Sequence, residues 1–375
     1  MDRNIRKLLV MIIIAAFACN SYSHEAYADS LTEREVTEFL QNLYNDRNRL
    51  LLDQEQSHIQ NYYMVDNRKS RYAFNREIQR AGYLHEWAKQ RRVKFVDADG
   101  KIRIVRMSQS GDTAKVTLVN SLRLRYQYDD DPSVYHDFGV GTRHSLTLKK
   151  KSQSWLLESE WYLDPLEEDP KTIQACDVNF SPVTASAESS KIVNNYNRDR
   201  AVAYANKYAG LAWGAGNNQR YNQKYLDYTS RGGDCTNFSS QAIGDPDEGG
   251  GLRRSSEWRY IKRTGGTRAW VNTDGFKSFL VRSGYARVLA QGDYIKVVEY
   301  MNKASAQGGR SVQSLEAGDL IAYVIGGDID HFSIVVGFDK QGYPLVNSHT
   351  ADRYMVPFDL GWDKFTKYQL IHIRD

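Results

Sequence analysis

The chain has 375 residues, 41% of them hydrophobic and 26% charged, with a formal net charge of +4. That length is more than one ordinary core needs and points to two domains of about 150 residues each. The near-balanced charge argues against a dedicated nucleic-acid partner and leaves only a mild attraction to an anionic surface.

At the N-terminus, Arg3, Arg6 and Lys7 precede an apolar run from Leu8 to Ala18, and Ala26-Tyr27-Ala28 follows a polar stretch. Basic, apolar and small-residue regions in that order read as a secretory signal over 1–28, cleaved after Ala28. The run falls short of the ~20 residues a bilayer needs, and no later segment is long and apolar enough, so no transmembrane segment is expected. A lipoprotein signal would use Cys19, but Ala16-Phe17-Ala18 lacks the usual leucine upstream. The expected location is secreted, either extracellular or cell-wall associated. Export leaves Cys176 and Cys235, and in an oxidising compartment one reading of them is a structural disulfide.

Residues 29–165 read as an N-terminal α+β domain. Leu31, Val36, Phe39, Leu40 and Leu43 share a helical face, and a second helix carries Tyr83, Leu84, Trp87 and Ala88. The period then changes to two at Ile102–Val105, Ala114–Leu118, Leu122–Tyr128, Leu146–Leu148 and Trp155–Leu157. Turns are predicted at Asp99-Gly100, Gly111-Asp112 and Asp130-Asp131-Pro132. Helices followed by an antiparallel sheet resemble, in element order, the nuclear-transport-factor-like cone fold. His85-Glu86 opens like a zinc-protease helix, but Lys89 stands where the second histidine is required.

Residues 166–195 read as a linker, charged up to Asp169-Pro170 and then small and polar through Ser181–Ser190. The second domain spans 196–375. Asn197 caps a helix bearing Ala201, Val202, Ala205 and Tyr208. In Gly232-Gly233-Asp234-Cys235-Thr236-Asn237-Phe238 the glycines permit a sharp turn and Asp234 reads as an N-cap. Cys235 therefore falls in the first turn of a helix whose buried stripe is Phe238, Ala242 and Ile243. Orphan amides and the positive dipole end there would lower a thiol below its free value of about 8.5. The Asp234–Cys235 backbone could also hold an oxyanion.

The partner should be an imidazole. Gly318–Tyr323 reads as a turn into a strand. A second strand runs from His331 to Gly337, and a third returns through Tyr343–Thr350 after a turn at Asp339–Gly342. That hairpin sets His331 opposite His349 or Thr350, depending on loop type. His349 is the first choice for a third group that orients the ring and Asn347 the alternative. A one-residue slip would exchange the faces. Cys235, His331 and His349 could also ligate zinc, but no closely spaced ligand pair supports it. Asp245–Gly249 lacks full calcium-loop spacing. No cofactor or metal is expected. Trp213, Trp258 and Trp270 are candidates for the substrate cleft.

The run from Tyr196 onward resembles the putative amidase domain family of secreted bacterial proteins. The resemblance rests on Tyr196-Asn197-Arg198, Tyr204-Ala205, Trp213, Asn217 with Tyr221, GGDCTNFSSQ at 232–241, Trp258, Trp270, GDLIAY at 318–323, the His331 strand and His349-Thr350. That family is in turn similar to NlpC-type cell-wall peptidases and papain-like folds. The resemblance implies a Cys-bearing helix on an antiparallel sheet bearing His, with Cys235 as nucleophile, His331 as base and His349 orienting it. It also implies hydrolysis of an amide bond in peptidoglycan or a cell-envelope peptide. The long stretch between Cys235 and His331 departs from the NlpC pattern, so substrate does not carry over. A non-catalytic envelope-binding or scaffolding module, and an acyl transferase using the same pair, are the alternative functions.

Overall fold

Helix α1 (32–53) buries Val36, Leu40, Leu43, Tyr44, Arg47, Leu50 and Leu51, a stripe spaced by three and four residues along one face. The computed structural model describes residues 32–166, 168–175, 195–306 and 312–375. The signal reading at 1–28, Cys19, Cys176 and most of the 166–195 linker lie outside them. Helix α2 (Arg68–Arg91) starts where the Asn67 side chain accepts from the amides of Lys69 and Ser70, and ends at left-handed Arg92. Strands β1 (Val93–Ser110), β2 (Thr113–Tyr128), β3 (Asp131–Lys151) and β4 (Ser154–Tyr162) follow as an antiparallel meander.

The turn expected at Asp99-Gly100 does not exist. Strand β1 runs straight through it, with Gly100 opposite Leu122. A Cβ on Gly100 would lie 3.0 Å from Asn48 Oδ1, so the glycine serves close packing against α1 instead of a reversal. Likewise 113–128 is one strand, not two. The turn at Gly111-Asp112 is present.

In the second half, α3 (Arg198–Lys207) is capped by Asn197, whose side chain accepts from Arg200 N. Next come α4 (Cys235–Gly244), the small hairpin β5 (Tyr260–Ile261) and β6 (Gly265–Gly266), α5 (Arg268–Val271), α6 (Thr273–Arg282), β7 (Ala286–Gly292) and α7 (Tyr294–Ala306). Strands β8 (Leu320–Ile325), β9 (Asp328–Phe338), β10 (Pro344–Ser348), β11 (Asp352–Pro357) and β12 (Lys367–Ile373) complete the chain. The structure is mixed α+β, with an antiparallel sheet and helices on it.

The two halves share that sheet. Its order is β1-β2-β3-β11-β10-β9-β8-β12-β7, with β4 also on β3. At the seam Asp352, Arg353 and Tyr354 pair with Gly141, Val140 and Gly139. Val356 and Leu360 enter the N-terminal core. Buried Arg91 meets Asp359 at 2.6 Å, and Trp87 Nε1 donates to the same carboxylate. The Gly361 amide donates to Tyr83 Oη at 2.7 Å.

Each face of the C-terminal sheet carries its own core. On one, α3, α4 and α6 pack on Phe332, Ile334 and Val336. On the other, α7 packs with Tyr323, Val335 and Phe358. Alternation along β9 therefore assigns each of its side chains to one core or the other.

Candidate active site

Gly232 and Gly233, both in the left-handed region at φ 99° and 118°, turn the chain into α4. Cys235 is its first residue, 6% exposed, and its thiol is free. The sulfur lies 3.8 Å from Thr236 Oγ1 and faces the backbone amides of Phe332 and Thr236. Those amides favour a thiolate, but burial outweighs them and pushes the Cys235 thiol up from its ordinary value. The lowered thiol expected from helix-start placement is not met in this arrangement. Half a helix dipole cannot offset loss of water around an ion with no cation beside it.

Asp234 occupies the N-cap position without capping. Its carboxylate turns away from the helix. Oδ1 accepts from Tyr228 N and Asn237 Nδ2, and Oδ2 meets His349 Nδ1 at 2.6 Å. The first-turn amides are thereby left unclaimed by Asp234. His349 is 1% exposed, its Nε2 lies 2.6 Å from the carbonyl of Tyr208, and its ring is stacked between Tyr221 and Phe238. The Tyr208 carbonyl only accepts, so Nε2 donates to it, and Nδ1 shares a hydrogen with the Asp234 carboxyl. With both ring nitrogens engaged, His349 has no open lone pair with which to take the thiol proton. It braces the Cys235 helix through the preceding residue.

His331 lies elsewhere. It pairs across β8 with Tyr323, and its ring is 5.7 Å from Tyr323 and 5.6 Å from Trp362, on the α7 side of the sheet. Cys235 and His349 lie on the α4 side. The hairpin explains the separation. A register shift between Leu345 and Val346 sets Asn347 opposite Ile334, where the ladder ends, three residues short of His331. His349 is not opposite His331, and its face is that of Phe332. No hydrogen bond joins Cys235, His331 and His349 to one another among the described residues. The alternative, Asn347, also sits on the α4 side, between Asn206 Oδ1 and the Met355 amide.

His331 is buried, and its Nε2 has no partner among the described residues. Burial first, then Arg353 and His349, push its proton affinity down to about 3. Arg353 is a buried guanidinium with no carboxylate in ion-pair range among the described residues. It donates to the carbonyls of Leu360 and Pro165 and lies 5.4 Å over the Trp362 ring. The resting site thus holds a neutral thiol and a neutral imidazole on two faces of one strand, since burial penalises either charged form. The sulfur faces the amide of Phe332, the residue next to His331.

Of the aromatic candidates, Trp258 and Trp270 do not line a cleft. Both are fully buried behind α4, donating to Ser240 Oγ and Asn237 Oδ1. Each indole finds a partner inside, so the core takes it. Trp213 is half-buried and lines a cavity at the seam of the two halves. Asp245 is spent on its own loop, accepting from the amides of Asp247 and Glu248, and those acids meet Lys224 and Lys207. His85 Nε2 meets the carbonyl of Leu51. Sequence reasoning missed the Asp234–His349 pair and Arg353. The adjacency of Asp234 to the cysteine was a signal for the pair; nothing local marks an arginine as buried.

Residues 195–371 match the model of a family described as a putative amidase domain. Two uncharacterized proteins of Bacillus subtilis (strain 168) are similar. YhbB is 28% identical over 185 residues, 48% of this chain and 49% of that protein. YjcM is 29% identical over 127 residues, 34% of this chain and 25% of that protein. The chain thus spans about half the length of the first and a quarter of the second. Among solved structures, the intermembrane space region of chloroplast protein ARC6 is 10% identical with a TM-score of 0.26, over 35% of this chain and 95% of that one. A periplasmic fragment of TraM is 15% identical with a TM-score of 0.25, over 35% and 97%. Likenesses of that size carry no argument.

Proposed function

We propose that the C-terminal half hydrolyses an amide bond with Cys235 as nucleophile and His331 as base, acting outside the cell on peptidoglycan or a cell-envelope peptide. The observation that carries this reading is the placement of Cys235. It is a free thiol at a helix start, faced by two backbone amides, inside the stretch that matches an amidase-domain family. His331 Nε2 takes the thiol proton, and the sulfur bonds to the substrate carbonyl carbon. First-turn amides receive the oxyanion. Collapse breaks the C–N bond and the imidazolium returns its proton to the leaving amine. Water, deprotonated by His331, then cleaves the thioester. A papain-like relation and the secreted location belong to the same reading, resting on the family resemblance and the N-terminal basic-apolar-small pattern.

The two side chains must first meet. The β8–β9 pairing slips between Tyr323 and Val324, leaving Asp330 unpaired beside His331, after the left-handed Gly326 and Gly327. Moving that bulge by one residue would turn His331 to the α4 face without disturbing Phe332. The full chain incubated with purified sacculi should release new amino groups, and Cys235→Ala should release none. Equal release by the variant overturns the assignment. The unjoined Cys235 and His331 also favour a second reading, an envelope-binding module without turnover. Saturable sacculus binding with no release from the wild type would select it.

A further inference from the structure

Where the two halves meet, the sheet carries a cavity of about 320 Å³, lined by Tyr126, Tyr135, His136, Trp213, Tyr354 and neighbouring side chains. That volume lies at the lower end of small-ligand pockets, about 300–1,000 Å³. The site is built, not incidental. The segment around Trp213 lies flat on β3 because two strand positions there are glycine. A Cβ on Gly139 would sit 2.0 Å from the Trp213 carbonyl oxygen, and one on Gly141 2.5 Å from Ala212 N. On the other side, Gly214 at φ 87° admits the Tyr354 ring, which a Cβ would meet at 2.5 Å. Met355, also in the lining, holds the left-handed backbone at φ 53°.

The chemistry of the lining selects the ligand. Arg123 lies 5.5 Å over the Trp213 ring and Arg125 5.6 Å over that of Tyr135, steadying both planes. Neither cation is free, for Arg123 pairs with Asp97 and Arg125 grips Asp137 through two bonds at 2.8 and 2.9 Å. Asp137, the acid in the lining, is thereby neutralised. An ionic ligand would find no uncompensated partner. A purely apolar one would leave the lining phenols of Tyr135 and Tyr354 unused, since neither hydroxyl makes a hydrogen bond among the described residues. Aromatic faces, two uncommitted hydroxyls and no free charge suit a ligand with flat C–H faces and uncharged hydroxyls.

We propose that this cavity binds an uncharged pyranose ring of a glycan, stacked on Trp213 and Tyr135 and hydrogen-bonded to the Tyr354 hydroxyl. The site is separate from Cys235 and does not depend on the hydrolytic reading. The test is calorimetric titration of the full chain carrying Cys235→Ala with tri-N-acetylchitotriose and with maltotriose. At least one should bind saturably. Trp213→Ala should weaken it at least tenfold. Tyr135→Ala, at a position already 55% exposed and safe for folding, should weaken it several-fold. Tyr354→Phe, which keeps the ring and removes the hydroxyl, should also lose affinity. Absence of saturable binding to either sugar overturns the proposal, as does binding that both Trp213→Ala and Tyr135→Ala leave unchanged.

Discussion

Replacing His331 with leucine should flatten the acid side of the stability curve. The ring is buried at 7% exposure, and its folded proton affinity is pushed down to about 3. In the unfolded chain it titrates near 6.5. Between those values the unfolded state binds a proton that the native state refuses. Stability from the neutral ring is present above about 6.5 and is lost as pH falls toward 3, at about 1.4 kcal/mol per pH unit. From pH 7 to pH 5 the loss is about 2 kcal/mol. Glu168, pushed up to about 7 by burial, works in the opposite direction, but it is common to both proteins and cancels in the comparison. Urea unfolding of wild type and His331→Leu at the two pH values gives the difference directly. The wild type should lose about 2 kcal/mol relative to the variant. Parallel behaviour would mean that the ring is solvated and titrates freely.

Other outcomes follow from the same contacts. Asp234→Ala leaves the His349 ring nitrogen buried without its partner and should cost about 1–3 kcal/mol; a double-mutant cycle with His349→Phe should return most of that as coupling. Cys235, with its thiol pushed up by burial, should react with iodoacetamide at pH 8 more slowly than an exposed thiol, its rate still climbing with pH there; a labelling midpoint below pH 7 would contradict the buried geometry. Trp270→Phe strands Asn237 Oδ1 and should lower stability by about 1–3 kcal/mol while leaving oligosaccharide binding intact; an effect on binding alone would return Trp270 to a cleft. Gly139→Ala drives a Cβ into the Trp213 carbonyl and should cost about 2 kcal/mol or more, with faster proteolysis around 210–216.

Local signals carried far. The Gly-Gly turn placed Cys235 at a helix start, Asn197 marked the start of α3, and His331 lies on the strand its sequence pattern predicts. What failed were relations between elements. Asp234 has the chemistry of a cap, but a histidine 115 residues later in the chain competes for the same carboxylate and wins, because a buried ring nitrogen left without a partner costs more than one unmade capping bond. The hairpin turn after β9 was legible, while the one-residue shift at Leu345 that moves His349 off the His331 face leaves no mark in the residues that cause it. Trp258 and Trp270 read as cleft candidates because an indole can stack on a sugar ring, and the fold gives them the other reading, core residues whose N–H groups Ser240 and Asn237 satisfy from inside. Arg353 had no signal, since nothing in a strand's pattern announces a guanidinium held by carbonyls alone.

The pairing of β11 with β3 has a kinetic meaning. Its partners stand about 210 residues apart in the chain, which makes it one of the most non-local contacts of the fold. As the chain emerges from N- to C-terminus, the first four strands can assemble long before Asp352–Tyr354 exists. Until then the stretch at Gly139–Gly141 is an open edge, poor in side chains and ready to pair with any strand that reaches it. The last step of assembly is then the capture of a late strand by a waiting sheet. A protein caught before that step would be prone to joining its neighbours edge to edge, and slow refolding with concentration-dependent loss is the behaviour to look for.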